Sequence, residues 1–286
     1  MAVELIPAQP QALWGKPAVA NFVLGGLGAG LYVVGALEAG FGASPEVSIA
    51  SWLGPLLVLA GFAAVGAEAG RPGRGARVLA RVRTSWMSRE VWAGGAFVAL
   101  AAAGLAYGSP WQRALAATAA LAVAAAQGFI LRCARGVAAW NVPMMPLLFV
   151  LSALVSGAGL LMLIEIAGGR PSDPVHRSAM LALLAVDALA WLAYVSWRGD
   201  EAFVRSTRGL REGGSVAAVA GGGHLVPFLL IGVSLAAPSV AGPASALAAA
   251  LMIGGQVCAK GAVVLRAGEL RAITVPTLRL QRRPSS

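Results

Sequence analysis

The sequence predicts an all-α integral membrane protein, a single membrane domain over residues 1–286 built as a bundle of eight transmembrane helices. Of its 286 residues 58% are hydrophobic and only 12% are charged, whereas a soluble domain carries about 25% charged residues. Its apolar runs reach the roughly 20 residues that cross a hydrocarbon core. These runs are continuous and lack the alternation of a membrane barrel. The composition therefore excludes soluble enzymes and barrels.

Eight apolar segments supply the predicted spans. The first is too long for the apolar region of about 7 to 15 residues in a cleavable signal, so we expect it to be retained. No twin-arginine pair precedes it, so no export signal of that kind is expected. The predicted spans cover residues 17–40, 48–70, 91–107, 111–131, 142–168, 177–197, 225–241 and 244–264.

Basic residues are concentrated on one side of the predicted bundle. Eight crossings put both ends of the chain on the same side, called here the terminal side, and 18 of the 22 Lys and Arg residues fall there. The positive-inside rule makes this side cytoplasmic, in a bacterial or archaeal inner membrane. It includes a basic loop at 71–90, a flexible loop at 199–223 and a basic tail at 267–286. Short juxtamembrane loops suit anionic lipids, an acidic partner or plain solvation, and do not favour nucleic acid.

Cysteine and histidine are too few for several cofactors. The chain has two of each, whereas an iron–sulfur cluster takes about four thiolates. His176 and His224 fall at opposite membrane faces, so no haem is expected between them. The same scarcity argues against a zinc site or a nucleophile–histidine catalytic group. We therefore expect no metal centre in this chain.

A glycine-rich run lies within the first span, from Gly25 to Gly30. It lacks the preceding strand of a dinucleotide-binding loop, so that interpretation is rejected. Gly26 and Gly30 instead form a small-xxx-small face, which brings another helix close or leaves a groove for a flat ligand. Packing is the favoured interpretation of this face.

Ionisable residues at membrane depth are candidates for function because their insertion costs about 2.5 to 3.5 kcal/mol each. Glu38 and Glu165 fall near outer span ends, where they can reach the interface. Asp187 falls near the middle of the sixth span and must be neutral or paired, with Lys260 as a possible partner. A structural pair and a proton path both remain open. Three polar residues can tie helices together or line a pocket: Asn21, Gln127 and Gln256.

Glu68 is the leading candidate for proton exchange. It lies near the cytoplasmic end of the second span, directly before a Gly-Arg-Pro break. Partial desolvation favours its protonated form, whereas Arg71 and Arg74 favour the charged form. An interfacial glutamate paired with arginine is the alternative.

The segment after the second span carries a family resemblance. Its frame is Gly70-x-Pro72-x-Arg74, and it continues to Glu90 without an insertion. This frame resembles the loop after helix two in the membrane anchor subunit of dimethyl sulfoxide reductase, a relative of the polysulfide-reductase and nitrite-reductase membrane subunits. The frame continues through Leu79, Arg81, Ser85 and Ser88, and a weaker match includes Arg132, Ala138, Ala139, Trp140 and Pro146.

The resemblance implies a haem-free anchor that passes electrons between a membrane quinone, menaquinone or ubiquinone, and a ferredoxin-like iron–sulfur subunit. That subunit in turn serves a molybdopterin catalytic subunit. The family commonly has a quinol-binding histidine where this chain has Glu68. The expected pocket lies between the cytoplasmic ends of the first four spans, where Glu68 exchanges a proton. The resemblance makes further residues candidates for holding the quinone or docking the partner: Asn21, Gly26, Gly30, Arg71, Arg74, Arg77, Arg81, Arg89 and Arg132.

Sidedness separates this chain from the resembled reductase. There the matching loop faces the periplasm, whereas the arginine distribution here places it in the cytoplasm. A cytoplasmic catalytic unit suits an intracellular substrate such as a coenzyme A thioester, as in a phenylacetyl-CoA oxidoreductase. A secondary transporter that uses intramembrane carboxylates and a purely structural anchor are the alternatives, although no half-to-half symmetry typical of transporters is found.

Overall fold

The computed structural model describes residues 4–12, 14–40, 44–68, 79–170, 173–197 and 199–274, and these residues are mostly helical. Two short strand pairs complete the fold. The helices are α1 (Lys16–Glu38), α2 (Pro45–Glu68), α3 (Trp86–Tyr107), α4 (Pro110–Arg132), α5 (Met145–Ala167), α6 (Pro174–Val195), α7 (Glu201–Ser206), α8 (Gly213–Ala236) and α9 (Ala241–Gly261). The strands are β1 (Glu4–Ile6), β2 (Gln9–Pro10), β3 (Glu269–Leu270) and β4 (Ile273–Thr274).

Local sequence explains where the long helices begin. Proline lies in the first turn of α1, α4, α5 and α6, where its fixed φ suits a helix and its missing N–H is not needed. Side-chain caps include Ser85, which accepts from the Ser88 N–H at 3.4 Å before α3, and Asp173, which accepts from the Val175 N–H at 2.7 Å before α6. Such caps satisfy backbone donors that the first turn leaves free.

The predicted all-α membrane class is confirmed. In the described part of the chain seven helices are long and apolar enough to cross a membrane, which makes this a multi-pass membrane protein. The predicted count of eight is not reached by that measure. α3 is an eighth long helix of 22 residues, but it carries Arg89 and Glu90 near its start.

The outer surface of the bundle is apolar. Leu189 is 66% exposed and Leu115 is 57% exposed, and both lie on long helices. A soluble protein would not present such a surface to water, whereas a lipid bilayer solvates it. Further exposed leucines on the long helices are Leu37, Leu56, Leu59, Leu192, Leu229 and Leu247.

Helices α1 and α5 form the centre of the bundle. Most residues in the apolar stretch of each helix are buried: 61% in α1 and 67% in α5, against 28% in α2. They approach at Gly30 and Gly157: a side chain at Gly30 would overlap the Ala153 carbonyl, and one at Gly157 would overlap the backbone of Gly30. The space beside Gly30 is thus occupied by helix backbone, as the packing interpretation of the glycine face expects.

Two boundary predictions are corrected. Residues 199–223, predicted as a flexible loop, form α7, a 3₁₀ turn at Arg208–Leu210 and the start of α8, and Phe203 and Leu210 are buried. The seventh span accordingly runs over Gly213–Ala236 and not over 225–241. After an α-helical turn at Gly213–Val216 it continues as a π-helix at Ala217–Leu225.

The two ends of the chain pair with each other. β1 pairs with β4 and β2 with β3, both antiparallel, so the first and last described strands lie on the same side of the bundle. Three contacts fix the C-terminal strands: Gln11 N–H donates to the Gly268 carbonyl at 2.7 Å, Arg271 N–H donates to the Gly136 carbonyl at 2.8 Å, and the Arg271 guanidinium donates to Asp200. The start of the predicted basic tail is therefore part of this paired structure.

We expect Gly30→Ala to destabilise the protein because its methyl group would overlap the Ala153 carbonyl. Overpacking of this kind costs about 1 to 3 kcal/mol. Thermal unfolding in detergent should show a lowered Tm. The matched control is Gly95→Ala on α3, where an added methyl has no neighbour within 4 Å. An equal Tm for both variants would contradict the close crossing of α1 and α5.

The Asp200–Arg271 contact should stabilise the paired ends only above acidic pH. Burial raises the pKa of Asp200, but the hydrogen bonds from Arg271 and the Phe203 N–H outweigh it, and the pKa lies below the ordinary value of 3.8. The contribution is therefore complete above that value and is lost as the pH falls through the lowered pKa. Arg271→Gln should reduce amide protection of residues 268–274 at neutral pH, and this difference should disappear in acid, once the pH has fallen below the lowered pKa of Asp200. A difference that persists in acid would contradict the assignment.

Candidate functional site

The first buried polar cluster joins α1, α3 and α4. The Glu90 carboxylate accepts from the Asn21 side-chain amide at 3.0 Å and from the Gln127 amide at 3.1 Å. The Gln127 side-chain amide also donates to the backbone carbonyl of Asn21 at 3.3 Å. All three side chains are buried. We call these residues the Glu90 cluster.

Small residues make room for the Glu90 cluster. A Cβ at Gly25 would lie 2.5 Å from the Gln127 amide nitrogen, and one at Gly61 would lie 3.0 Å from Asn21 Oδ1. Within the described residues Asn21 Oδ1 and Gln127 Oε1 are buried and have no hydrogen-bond partner. The cluster therefore presents two buried acceptor oxygens beside a carboxylate, an arrangement suited to a hydrogen-bond donor.

Aromatic and basic side chains connect the Glu90 cluster to the terminal side. Trp86 stacks on Phe129 with ring centroids 4.1 Å apart. The Arg89 guanidinium lies 4.2 Å from the Trp86 ring, and that of Arg132 lies 5.8 Å from the Phe129 ring. Both arginines thus lie near the segment that carries the family resemblance. Arg81 is exposed in the turn before α3.

The second buried cluster joins α6, α8 and α9. His224 Nε2 lies 2.9 Å from Asp187 Oδ2, and the Gln256 amide donates to the same oxygen at 2.6 Å. His224 Nδ1 lies 2.7 Å from the Val219 carbonyl oxygen. All three side chains are buried. We call Asp187, His224 and Gln256 the Asp187 cluster.

The hydrogen bonds fix how many protons the Asp187 cluster holds. A carbonyl oxygen only accepts, so His224 Nδ1 carries a hydrogen. The bond between His224 Nε2 and Asp187 then needs a second hydrogen, either on Nε2 or on the carboxyl group. The pair therefore shares one proton beyond neutral histidine and aspartate anion.

Lys260 lies between the two clusters. Sequence reasoning offered it as a partner of Asp187, but its ammonium donates to the Phe22 carbonyl of α1 at 2.8 Å, while His224 and Gln256 bond to Asp187. Gly26 makes this possible, because a side chain there would overlap the Lys260 ammonium. Lys260 and Asp187 still line one cavity of about 20 Å³, which has room for a single water molecule.

The predicted site residues divide into several groups. Asn21 is in the Glu90 cluster, and Gly26 faces Lys260. The space beside Gly30 is filled by the backbone of α5. Arg89 and Arg132 lie beside the Trp86 and Phe129 rings, and Arg81 is exposed before α3. The other predictions fall on Arg71, Arg74, Arg77 and the side chain of Glu68, which lie outside the described residues.

Sequence reasoning missed Glu90 and His224 as site residues. Each lies one position before a predicted span, at 91–107 and 225–241, and was left outside it. The Ser85 cap at the start of α3 was the available signal for Glu90. The π-helix that carries His224 into the bundle left no clear signal, because its sequence is rich in Ala and Gly.

A separate group lies at the opposite end of the bundle. Carboxylate oxygens of Glu38 and Glu165 and a ring nitrogen of His176 lie within 4.8 Å of one another. His176 Nδ1 is 4.0 Å from a Glu38 oxygen and 3.9 Å from a Glu165 oxygen. Beside them Glu46 pairs with Arg170. One histidine and two carboxylates could hold a divalent ion, a grouping that the sequence argument against metal sites did not foresee. The absence of a metal stays a prediction.

Comparison with known proteins supplies no identity. No family model matches the chain, and no curated protein matches it. The candidate function must therefore be argued from the two buried clusters and the sequence resemblance.

Removing the Asp187 carboxylate should destabilise the bundle. Asp187→Ala leaves His224 and Gln256 without their buried acceptor, and loss of one partner of a buried pair costs about 3 kcal/mol or more. Asp187→Asn should cost less, because its amide oxygen can take the position of Oδ2 and still accept from Gln256, so that only the bond with His224 is changed. Thermal unfolding of both variants in detergent measures the difference. Equal Tm values would show that these hydrogen bonds do not form.

Proposed function

We propose that the chain is the haem-free, quinone-reactive anchor subunit of a molybdopterin and iron–sulfur oxidoreductase. In this proposal α3 is the eighth span and both ends face the cytoplasm of a bacterial or archaeal cell. The chain exchanges electrons between a docked iron–sulfur subunit and a membrane quinone, without a redox centre of its own. A phenylacetyl-CoA-type enzyme is one catalytic partner that suits the cytoplasmic side.

The Glu90 cluster is the observation that carries the proposal. The segment that resembles the reductase anchors runs from Glu68 to Glu90, and it ends on a buried carboxylate held by two amide donors. A buried carboxylate in an apolar bundle is costly, so it is a candidate for function. Its position at the end of this segment supports proton exchange near the expected docking face.

The buried acceptors of the Glu90 cluster suit a quinol. A bound quinone takes up two electrons and two protons, and a quinol gives them back. Asn21 Oδ1 and Gln127 Oε1 are buried acceptors without a partner in the described protein, and a quinol hydroxyl group is a donor. We propose that Glu68 and Glu90 hold and pass the protons. The head group would be positioned by the basic residues of this end, Arg71, Arg74, Arg81 and Arg132.

The terminal side also suits a docked protein. It presents exposed Arg81 and Arg83 in the turn before α3, and Arg205 and Arg208 on the segment before α8. Electrons can reach the quinone only from a docked redox partner if the chain holds no metal. We therefore propose an iron–sulfur subunit with an acidic contact face, because opposite charges steer association.

A secondary transporter is the second candidate. The observation that favours it is the set of buried ionisable groups Asp187, His224 and Lys260 within the bundle, since such groups line ion and substrate paths in transporters. Quinone binding to the isolated chain would favour the anchor, and solute uptake by the chain alone would favour the transporter.

Substitution of the proposed proton carriers should slow quinone turnover. In the purified complex, Glu68→Gln and Glu90→Gln should each lower turnover with a quinol analogue by about 100-fold, because the amide cannot accept the proton. The matched control is Glu201→Gln, an exposed residue in the first turn of α7, which should leave turnover unchanged. Unchanged turnover in both test variants, with subunit assembly intact, would remove the proposed proton role.

A further inference from the structure

An apolar cleft opens between α6 and α8. Its volume is about 390 Å³, within the range of small-molecule sites. Leu184, Ala188 and Leu192 of α6 form one wall, and residues of α8 form the other. Since both helices are membrane-spanning candidates, the cleft lies within the apolar part of the bundle.

The mouth of the cleft faces the surrounding membrane. Leu189 at its edge is 66% exposed and Leu225 is 58% exposed, with Phe228 beside them at 38%. A lipophilic molecule could therefore enter from the bilayer without passing through water. Its tail would lie along leucine side chains at the surface of the bundle.

Two aromatic rings that carry nitrogen, those of Trp191 and His224, line the otherwise apolar cleft. His224 and Trp191 line both the cleft and the cavity of about 20 Å³ that also contains Asp187 and Lys260. His224 is bonded to Asp187, and this pair shares one proton by the count given above. A planar head group can stack on the Trp191 and His224 rings, whereas a plain acyl chain cannot.

The backbone places His224 at this position. It lies in the π-helix Ala217–Leu225, and π-helical turns are frequent at functional sites. The same segment lies against α9 at Gly223 and Gly255, where a side chain on either glycine would overlap the other. This close contact brings His224 of α8 beside Gln256 of α9, and both reach Asp187.

We propose that this cleft is a second quinone-type site, which binds a ring head group with hydrogen-bonding oxygens and an isoprenoid tail. The proposal rests on the proposed function, that the chain handles quinones, and adds a location in the other half of the bundle. Trp191 and the His224 ring contact the head group, and the tail lies along Leu189 and Leu225.

Photolabelling tests the location. The full chain, reconstituted in phospholipid vesicles, is irradiated with an azido-quinone that has a short alkyl tail, and labelled peptides are identified by mass spectrometry. We expect label in the peptides of α6 and α8. Ala188→Phe, which fills the cleft, should reduce that label at least about tenfold, equivalent to 1.4 kcal/mol of binding. Ala220→Leu provides the same test from α8.

The matched control is Ala182→Phe, an exposed position on α6 that is not part of the cleft, and it should leave the label unchanged. Competition by the same alkyl tail without a ring, as effective as by the quinone, would show an apolar groove only and overturn the proposal. Label confined to α1–α4 and insensitive to Ala188→Phe would overturn it and leave the proposed function standing. No specific label in any helix would overturn both.

Discussion

The crossing of α1 and α5 is the contact on which the rest of the structure depends. In a bilayer there is little hydrophobic drive between helices, so association relies on close packing and interhelical hydrogen bonds. Gly30 and Gly157 let the two backbones meet directly. One turn closer to the terminal side of α1, Gly26 leaves room for Lys260 of α9 to reach the Phe22 carbonyl. A single glycine face therefore fixes both the central packing and the position of a buried cation.

Buried polar groups in this bundle tie together helices that are distant in sequence. The Glu90 cluster links α1, α3 and α4, and the Asp187 cluster links α6, α8 and α9. In each case a carboxylate accepts from amide or imidazole donors on two other helices. Such bonds specify which helix faces match, because an unpaired polar group at membrane depth is costly. Stability and any proton chemistry thus depend on the same side chains.

Apolar runs predicted the helices well, because length and composition decide what crosses a bilayer. The starts of α3 and α8 were placed too late, at 91 and 225 against Trp86 and Gly213. In both cases the predicted span begins directly after an ionisable residue, which leaves Glu90 and His224 outside it. A predicted span that stops at a charged residue leaves out the buried ionisable groups that are candidates for function. The glycine-rich start of α8 also resembled a loop, because a π-helix has no distinct composition.

Lys260 lies between the Glu90 cluster and the Asp187 cluster. Its ammonium lies against α1, where a Cβ at Gly26 would also come within 3.6 Å of Gln127 Oε1 of the Glu90 cluster. On its other side Lys260 lines the cavity that contains Asp187 and His224. An ammonium group has three donors, and the Phe22 carbonyl takes one. Lys260 therefore borders both clusters: its ammonium is held by the Phe22 carbonyl of α1, and its side chain lines the cavity beside Asp187 and His224.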